Sequence, residues 1–96
     1  MFFAAAELLE EKSDVRVASR VSELSLHGCY LDMMNPFPVN TSIRLKIWTS
    51  EDNVFQTKGS VIYSQTNMGA GVKFLDVDEG NSAVLQRWLN NAAEHS

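Results

Sequence analysis

The chain has 96 residues and a mass of 10.7 kDa, with 45% hydrophobic and 21% charged residues, a composition that indicates one globular domain. Eight basic against twelve acidic residues leave a net charge of −4, which argues against tight binding to long nucleic acids. No apolar run approaches the roughly 18 residues that span a bilayer, and Met1–Ala6 lacks the basic flank of a signal peptide. A single cysteine, Cys29, excludes an internal disulfide and favours a reducing environment. We therefore expect a soluble, cytoplasmic domain.

The N-terminal segment is predicted to be a helix within residues 1–14, ahead of a second unit that spans residues 15–96. Residues 2–12 are rich in Ala, Leu and Glu and contain no Gly or Pro, a composition that favours helix. Apolar residues recur there at spacings of three and four: Phe2, Ala5, Ala6 and Leu9.

The middle of the chain is predicted to form β-strands, because apolar and polar residues alternate there with a period of two. The predicted strands lie near residues 15–21, 29–33, 43–47, 54–64 and 70–77. In the turn at residues 35–40 two prolines fix φ, and Asn40 tolerates left-handed geometry; residues 50–53 are predicted to form a hairpin loop. Gly59 indicates a bulge or a sharp bend inside the fourth strand. Short strands at this spacing are typical of an antiparallel barrel or sandwich.

A second helix is predicted at about residues 78–93. The run Asp76–Glu79 offers carboxylates for an N-cap. Five apolar residues then lie along one helical face: Val84, Leu85, Trp88, Leu89 and Ala92.

Residues suited to catalysis are few. There are two histidines, His27 and His95, no Gly-rich phosphate loop, and no carboxylate pair in an apolar setting. His27 and Cys29 are two residues apart, so on a strand they would share one face and suit a metal. A closed zinc site needs four ligands, however, and the sequence has no second Cys–His pair. We therefore predict no catalytic residue, no metal site, no cofactor and no enzymatic activity.

Arg16 and Arg20 stand four residues apart on the first predicted strand. Residues at this spacing share one face about 13 Å apart, so two guanidinium groups can meet one ligand that carries two phosphates. The simpler explanation is a pair of arginines on the solvent-facing side of an amphipathic strand. The spacing alone favours this simpler explanation.

The segment that follows resembles a known motif. Glu23-x-Ser25-x-x-Gly28 is similar to the Asp/Asn-x-Ser-x-x-Gly motif of the PilZ domain family, bacterial receptors for cyclic di-GMP. Four further segments resemble the family in the same order along the chain: Gly28–Leu31, Pro36–Thr41, Gly59–Tyr63 and Gly69–Phe74. The likeness covers about residues 15–90.

The resemblance implies a mainly β fold, a six-stranded antiparallel barrel with a C-terminal helix against it. It also implies that cyclic di-GMP binds between an arginine pair and the second motif, at Arg16, Arg20, Glu23, Ser25 and Gly28. Glu23 would accept hydrogen bonds from a guanine edge, Ser25 would add a hydroxyl, and Gly28 would let backbone and ligand approach closely. The family usually carries its arginine pair upstream of the first strand, and Asp or Asn where this chain has Glu23.

Two functions from different classes follow. In the first, the domain binds cyclic di-GMP and relays it by a conformational change or a partner. In the second, a PilZ-like barrel without the nucleotide is an interaction or assembly module, and binds a protein partner or a second copy through its leading helix. The residues for such docking are apolar: Phe2, Phe3, Leu8 and Leu9. The first function is favoured because Ser25 and Gly28 of the motif are present.

Overall fold

The computed structural model describes residues 4–49 and 53–94. Six strands and one helix follow one another: β1 (Ala4–Glu10), β2 (Arg16–Leu24), β3 (Gly28–Asp32), β4 (Ser42–Trp48), β5 (Val54–Gln65), β6 (Gly69–Leu75) and α1 (Glu79–Glu94). All neighbouring strands are antiparallel, and the sheet closes into a barrel in the order β1-β2-β3-β6-β5-β4. The predicted six-stranded barrel and C-terminal helix are confirmed.

The predicted N-terminal helix is wrong, because its described part is strand β1. Ala4, Ala6 and Leu8 are buried while Ala5 between them is exposed, which is the two-residue period of a strand. β1 lies between β2 and β4 and pairs with both. Helix propensities differ by at most about 0.7 kcal/mol per ordinary residue, and pairing along both edges outweighs that preference. Phe2 and Phe3 lie outside the described residues.

The barrel interior is filled by inward-facing side chains from every strand. The fully buried ones include Leu8, Val21, Leu31, Ile43, Ile47, Phe55 and Val61. Among the described residues no polar or charged residue is buried. The core is therefore apolar throughout, and the outward-facing positions are left for contact with solvent and ligands.

Helix α1 packs against β5 with the face that the sequence predicts. Leu85 and Trp88 are buried, and Val84 and Leu89 pack partly buried beside them. The Trp88 ring meets the Phe55 ring edge-on, with 6.4 Å between centroids. The side chain of Ala92 lies outside the described part of the chain. Within that part, no helix combines the length and the hydropathy needed to cross a bilayer.

Asp78 caps α1, as the carboxylate run predicts. Its Oδ1 accepts a hydrogen bond from the Asn81 backbone N–H at 2.8 Å, so one donor of the first helical turn is satisfied. Backbone and side-chain hydrogen bonds from Asn81 stabilise the carboxylate and lower the pKa of Asp78. Asn81 Oδ1 accepts a further hydrogen bond from the Gln56 N–H at 2.7 Å. The cap thus fastens the helix to β5.

Two turn-related predictions have different outcomes. Asn40 adopts a left-handed φ of 74°, as predicted. Gly59 does not mark a bulge, because its pairing with β4 and β6 is regular; the bulge of β5 lies at Ile62. Gly59 is buried, and a Cβ there would lie 2.6 Å from Val72 Cγ1, so the interior leaves no room for one. Residues 50–52 of the predicted hairpin loop lie outside the described residues.

Replacing Leu8 tests β1 against the predicted helix. Leu8 is 0% exposed, so Leu8→Ala is expected to lower the free energy of unfolding by about 2–5 kcal/mol. Leu9→Ala is the matched control and should cost less, because Leu9 is only partly buried. Urea denaturation measures both. A larger loss for Leu9→Ala would instead support the helix, whose apolar stripe contains Leu9.

Asp78→Ala is expected to lower the melting temperature at neutral pH, because it removes the cap of α1. The pKa of Asp78 is lowered in the folded state, so its stabilisation is complete above the ordinary aspartate pKa of about 3.9. That stabilisation is lost as the pH falls through the lower folded value. The difference in melting temperature between wild type and Asp78→Ala should therefore shrink in acid. Asp78→Asn, which caps without titrating, should melt near wild type at pH 7; a pH-independent difference for Asp78→Ala would contradict the assignment.

Candidate functional site

An open pocket of about 430 Å³ lies where the turn between β2 and β3 meets β5 and β6. It brings together three of the predicted ligand-binding residues, Glu23, Ser25 and Gly28. It adds side chains that the sequence did not single out for binding: His27, Tyr30, Ile62 and Lys73. The lining therefore combines a carboxylate, two basic side chains and apolar surface in one concave site.

Two β-bulges determine which side chains face this pocket. In β2 the register shifts between Val21 and Glu23, so that Glu23 lies opposite Tyr30 on the outer face although it is two residues from the buried Val21. In β5 the register shifts between Val61 and Tyr63, and Ile62 and Tyr63 are consecutively exposed. Bulges commonly redirect side chains in this way. Without them, strict alternation would send Glu23 and Tyr63 into the barrel.

Ser25 shapes the turn that forms the rim of the pocket. Its backbone N–H donates to the Gly28 carbonyl oxygen at 2.9 Å, and its Oγ donates to the same oxygen at 3.1 Å. The Oγ also accepts a hydrogen bond from the His27 N–H at 3.3 Å. The His27 carbonyl in turn accepts from the Phe74 N–H at 2.8 Å, which fastens the turn to β6. The Ser25 hydroxyl therefore stabilises the β2–β3 turn itself.

Gly28 is required by the pairing of β3 with β6. A Cβ on Gly28 would lie 2.2 Å from the backbone oxygen of Val72, far closer than side-chain atoms approach. The sequence interpretation assigned the missing Cβ to close approach of a ligand. In the structure, the space that it leaves is filled by the neighbouring strand.

Arg16 and Arg20 lie outside the pocket, on the solvent-exposed side of β2. Arg16 Nε is 3.5 Å from Glu7 Oε1, and Arg20 Nη2 is 3.4 Å from Asp32 Oδ2. Both side chains are well exposed, at 63% and 65%, and exposed ion pairs of this kind contribute about 0–1 kcal/mol each. The two arginines share one face, as their spacing predicts, but each already has a carboxylate partner.

One residue of the pocket lining, Tyr30, belongs to an aromatic pair. Tyr30 on β3 and Tyr63 on β5 both lie opposite Gly71 on β6, and their ring centroids are 6.1 Å apart. Because Gly71 carries no side chain, the two rings meet across it. The sequence holds a signal for this pair, a glycine between two strands with tyrosines, but it is visible only once the register is known.

The predicted common face of His27 and Cys29 is wrong. His27 is exposed in the turn, whereas Cys29 is buried in the barrel, where burial raises the pKa of its thiol to about 12. The thiol is therefore protonated at neutral pH and unsuited to binding a metal. Among the described residues no group of three or more His, Cys, Asp or Glu side chains is arranged to hold a metal ion.

A second pocket of about 450 Å³ lies beside the start of α1. Its lining mixes the cations Arg44 and Lys58 with the carboxylates of Asp76 and Asp78. Asp78 is already engaged in the helix cap with Asn81. This pocket contains none of the predicted ligand-binding residues.

The family model for the PilZ domain matches residues 4–91, and the chain belongs to this family, whose members are generally non-enzymatic modules that bind cyclic di-GMP. The match includes β1, which the sequence resemblance had left outside.

Two solved structures share the fold. The PilZ domain of CeSA from a cellulose-synthesizing bacterium superposes with a TM-score of 0.68 at 15% identity, over 96% of this chain and 94% of that one. The PilZ domain of YcgR from Escherichia coli, solved with c-di-GMP, superposes with a TM-score of 0.71 at 16% identity. The superposition covers 97% of this chain and 86% of that one. A search of curated protein sequences finds no significant match.

Gly28→Ala tests whether the fold itself requires this glycine. The new Cβ would meet the Val72 carbonyl oxygen, so we expect the free energy of unfolding to fall by about 1–3 kcal/mol. Gly80→Ala is the control, since a Cβ there would lie 3.5 Å from Asp78 Oδ1 and the helical position gains up to about 1 kcal/mol from alanine. Chemical denaturation compares the two. A Gly28→Ala variant as stable as wild type would contradict the requirement.

Proposed function

We propose that this domain is a non-enzymatic signalling module that binds cyclic di-GMP in the pocket at the β2–β3 turn. One observation carries the proposal: all three residues of the Glu23-x-Ser25-x-x-Gly28 motif line one open pocket on a PilZ barrel. The general ligand of the family and the c-di-GMP bound to the YcgR domain support it. We propose a cytoplasmic location, which the single unpaired thiol favours.

Glu23 is the proposed recognition group for the guanine edge. The bulge in β2 turns it outward beside Tyr30, it is exposed, and no described residue forms an ion pair with it. Its carboxylate is therefore available to accept hydrogen bonds from the N–H groups of a guanine, bonds that the negative charge strengthens. Ser25 acts with it by holding the turn in shape, and Gly28 by holding the turn against β6.

Arg16 and Arg20 are proposed to contact the phosphates by exchanging partners. Each guanidinium now binds a carboxylate, Glu7 or Asp32. Because these ion pairs are exposed and weak, a bidentate contact with phosphate can replace them. The exchange would leave the carboxylates of Glu7 on β1 and Asp32 on β3 without their arginine partners. A partner that contacts this side of the barrel would then meet a changed charge pattern, which is a route for relaying the signal.

The alternative function, an interaction or assembly module that does not bind the nucleotide, cannot use the predicted leading helix. The segment is strand β1, and Leu8 is 0% exposed in the core. A homodimer or partner contact through such a helix is therefore ruled out, whereas an interaction module that uses another surface of the barrel stays the alternative proposal.

Calorimetric titration with cyclic di-GMP tests the proposed function. We expect wild type to bind, and Glu23→Gln, which keeps the shape but removes the charge, to bind about tenfold more weakly, a loss of 1.4 kcal/mol. Arg16→Ala and Arg20→Ala should each weaken binding by a similar factor. Arg44→Ala is the matched control, because its side chain is also 63% exposed and paired with a carboxylate, Glu11, but it belongs to β4 and not to the predicted arginine pair on β2.

The outcomes separate the parts of this proposal. Wild type that shows no heat and no thermal stabilisation with millimolar nucleotide would refute the function. Binding that is as strong in Arg16→Ala and Arg20→Ala as in Arg44→Ala would keep the function and remove the arginine pair from the site.

A further inference from the structure

The pocket contains a cation of its own that the motif does not include. Lys73 lies on β6 in register with Gly28 on one side and Ser60 on the other, and its exposed side chain lines the pocket. Unlike Arg16 and Arg20, Lys73 forms no ion pair or hydrogen bond with any described side chain. An unpaired ammonium group in a concave site attracts anions without first giving up a partner.

Tyr30 lies between Lys73 and Glu23 on the same outer face. Glu23 is opposite Tyr30 on β2, whereas Lys73 is one strand away on the other side and two residues along β6 from Gly71, the residue that pairs with Tyr30. With strands about 4.8 Å apart and a rise of about 3.3 Å per residue, the Cα atoms of Tyr30 and Lys73 are about 8 Å apart. An acceptor thus lies on one side of the ring and a cation on the other.

The pocket also has space above the Tyr30 ring. Gly71 has no side chain, and the exposed Ile62 at the β5 bulge lies at the edge of the gap. A planar base that enters here meets the Tyr30 ring on a surface backed by Tyr63. Stacking of bases on aromatic rings is a general mode of nucleotide binding and needs no particular base.

We propose that Lys73 contacts a phosphate of the bound nucleotide and that the Tyr30 ring stacks on one of its bases. This assignment rests on the proposed function and gives the orientation of the ligand: the base edge toward Glu23 and the phosphate toward Lys73. It adds an electrostatic contact inside the pocket, on β6, to the contacts proposed for the two arginines on β2. His27 is the other basic side chain in the lining, but it lies in the turn itself, next to the hydrogen bonds of Ser25.

Titration of Lys73 variants with cyclic di-GMP is the test. Lys73→Ala should raise Kd at least tenfold and reduce its dependence on salt, because one screened charge contact is lost. Lys73→Arg should restore affinity to within a few-fold of wild type, since the positive charge returns. The matched control is Lys58→Ala, an exposed strand lysine that does not line this pocket.

Tyr30 variants supply the second arm of the same experiment. Tyr30→Leu should weaken binding about tenfold, whereas Tyr30→Phe, which keeps the ring, should stay near wild type. Thermal denaturation of each variant identifies any that does not fold. If Tyr30→Leu fails to fold, the contrast between Lys73→Ala, Lys73→Arg and Lys58→Ala decides the assignment of the cation.

The results distinguish this inference from the proposed function. Wild type that binds cyclic di-GMP, with Lys73→Ala no weaker than Lys58→Ala, overturns the role of Lys73 and leaves the function intact. Wild type that does not bind overturns both. A tenfold loss that Lys73→Arg recovers establishes the phosphate contact.

Discussion

The pairing of β1 along both of its edges is the constraint on which the rest of this domain depends. β1 bonds to β2 on one side and to β4 on the other, and so converts an open sheet of five strands into a closed barrel. Closure leaves no unpaired strand edge and encloses an apolar core. Without β1, the inward side chains of β2 and β4 would face solvent.

The closed barrel dictates where a ligand can bind. Its interior is filled by side chains such as Phe55 and Leu31, so binding is confined to the outer surface. On that surface, every second side chain of a regular strand faces outward. At this pocket the regular alternation is interrupted. The interruption comes from the bulges in β2 and β5 and from Gly71, which has no side chain. The pocket lies between these three features. The candidate site is thus a local departure from a regular barrel.

Two residues of the Glu23-x-Ser25-x-x-Gly28 motif have roles in the fold itself. Ser25 holds the β2–β3 turn through its hydroxyl, and Gly28 admits the carbonyl oxygen of Val72. A motif conspicuous in the sequence therefore identifies the turn, and only part of it, Glu23, is a side chain left available for recognition. Lys73 and Tyr30 belong to no motif, yet both line the pocket.

Much of the fold is predictable from local pattern. The alternation in residues 43–47, the apolar face of α1 and the carboxylate at its cap each depend on neighbours within a few residues, and all three are confirmed. The N-terminal segment is the failure, because its helix-forming composition is a weak preference that long-range pairing overrides. The bulge predicted at Gly59 is wrong for a related reason. The position requires glycine because a Cβ would be too close to Val72, which is distant in sequence.

For the candidate site, the sequence by itself determined the chemistry available: a carboxylate, a serine turn and two spaced arginines. Tertiary structure decided which of these meet. It separated Cys29 from His27, placed Arg16 and Arg20 beside acidic partners, and brought Lys73 next to the turn. The physical reason is strand register. Residues 28 and 73 become neighbours through hydrogen bonds between strands, and a bulge of one residue reverses the face on which a side chain lies.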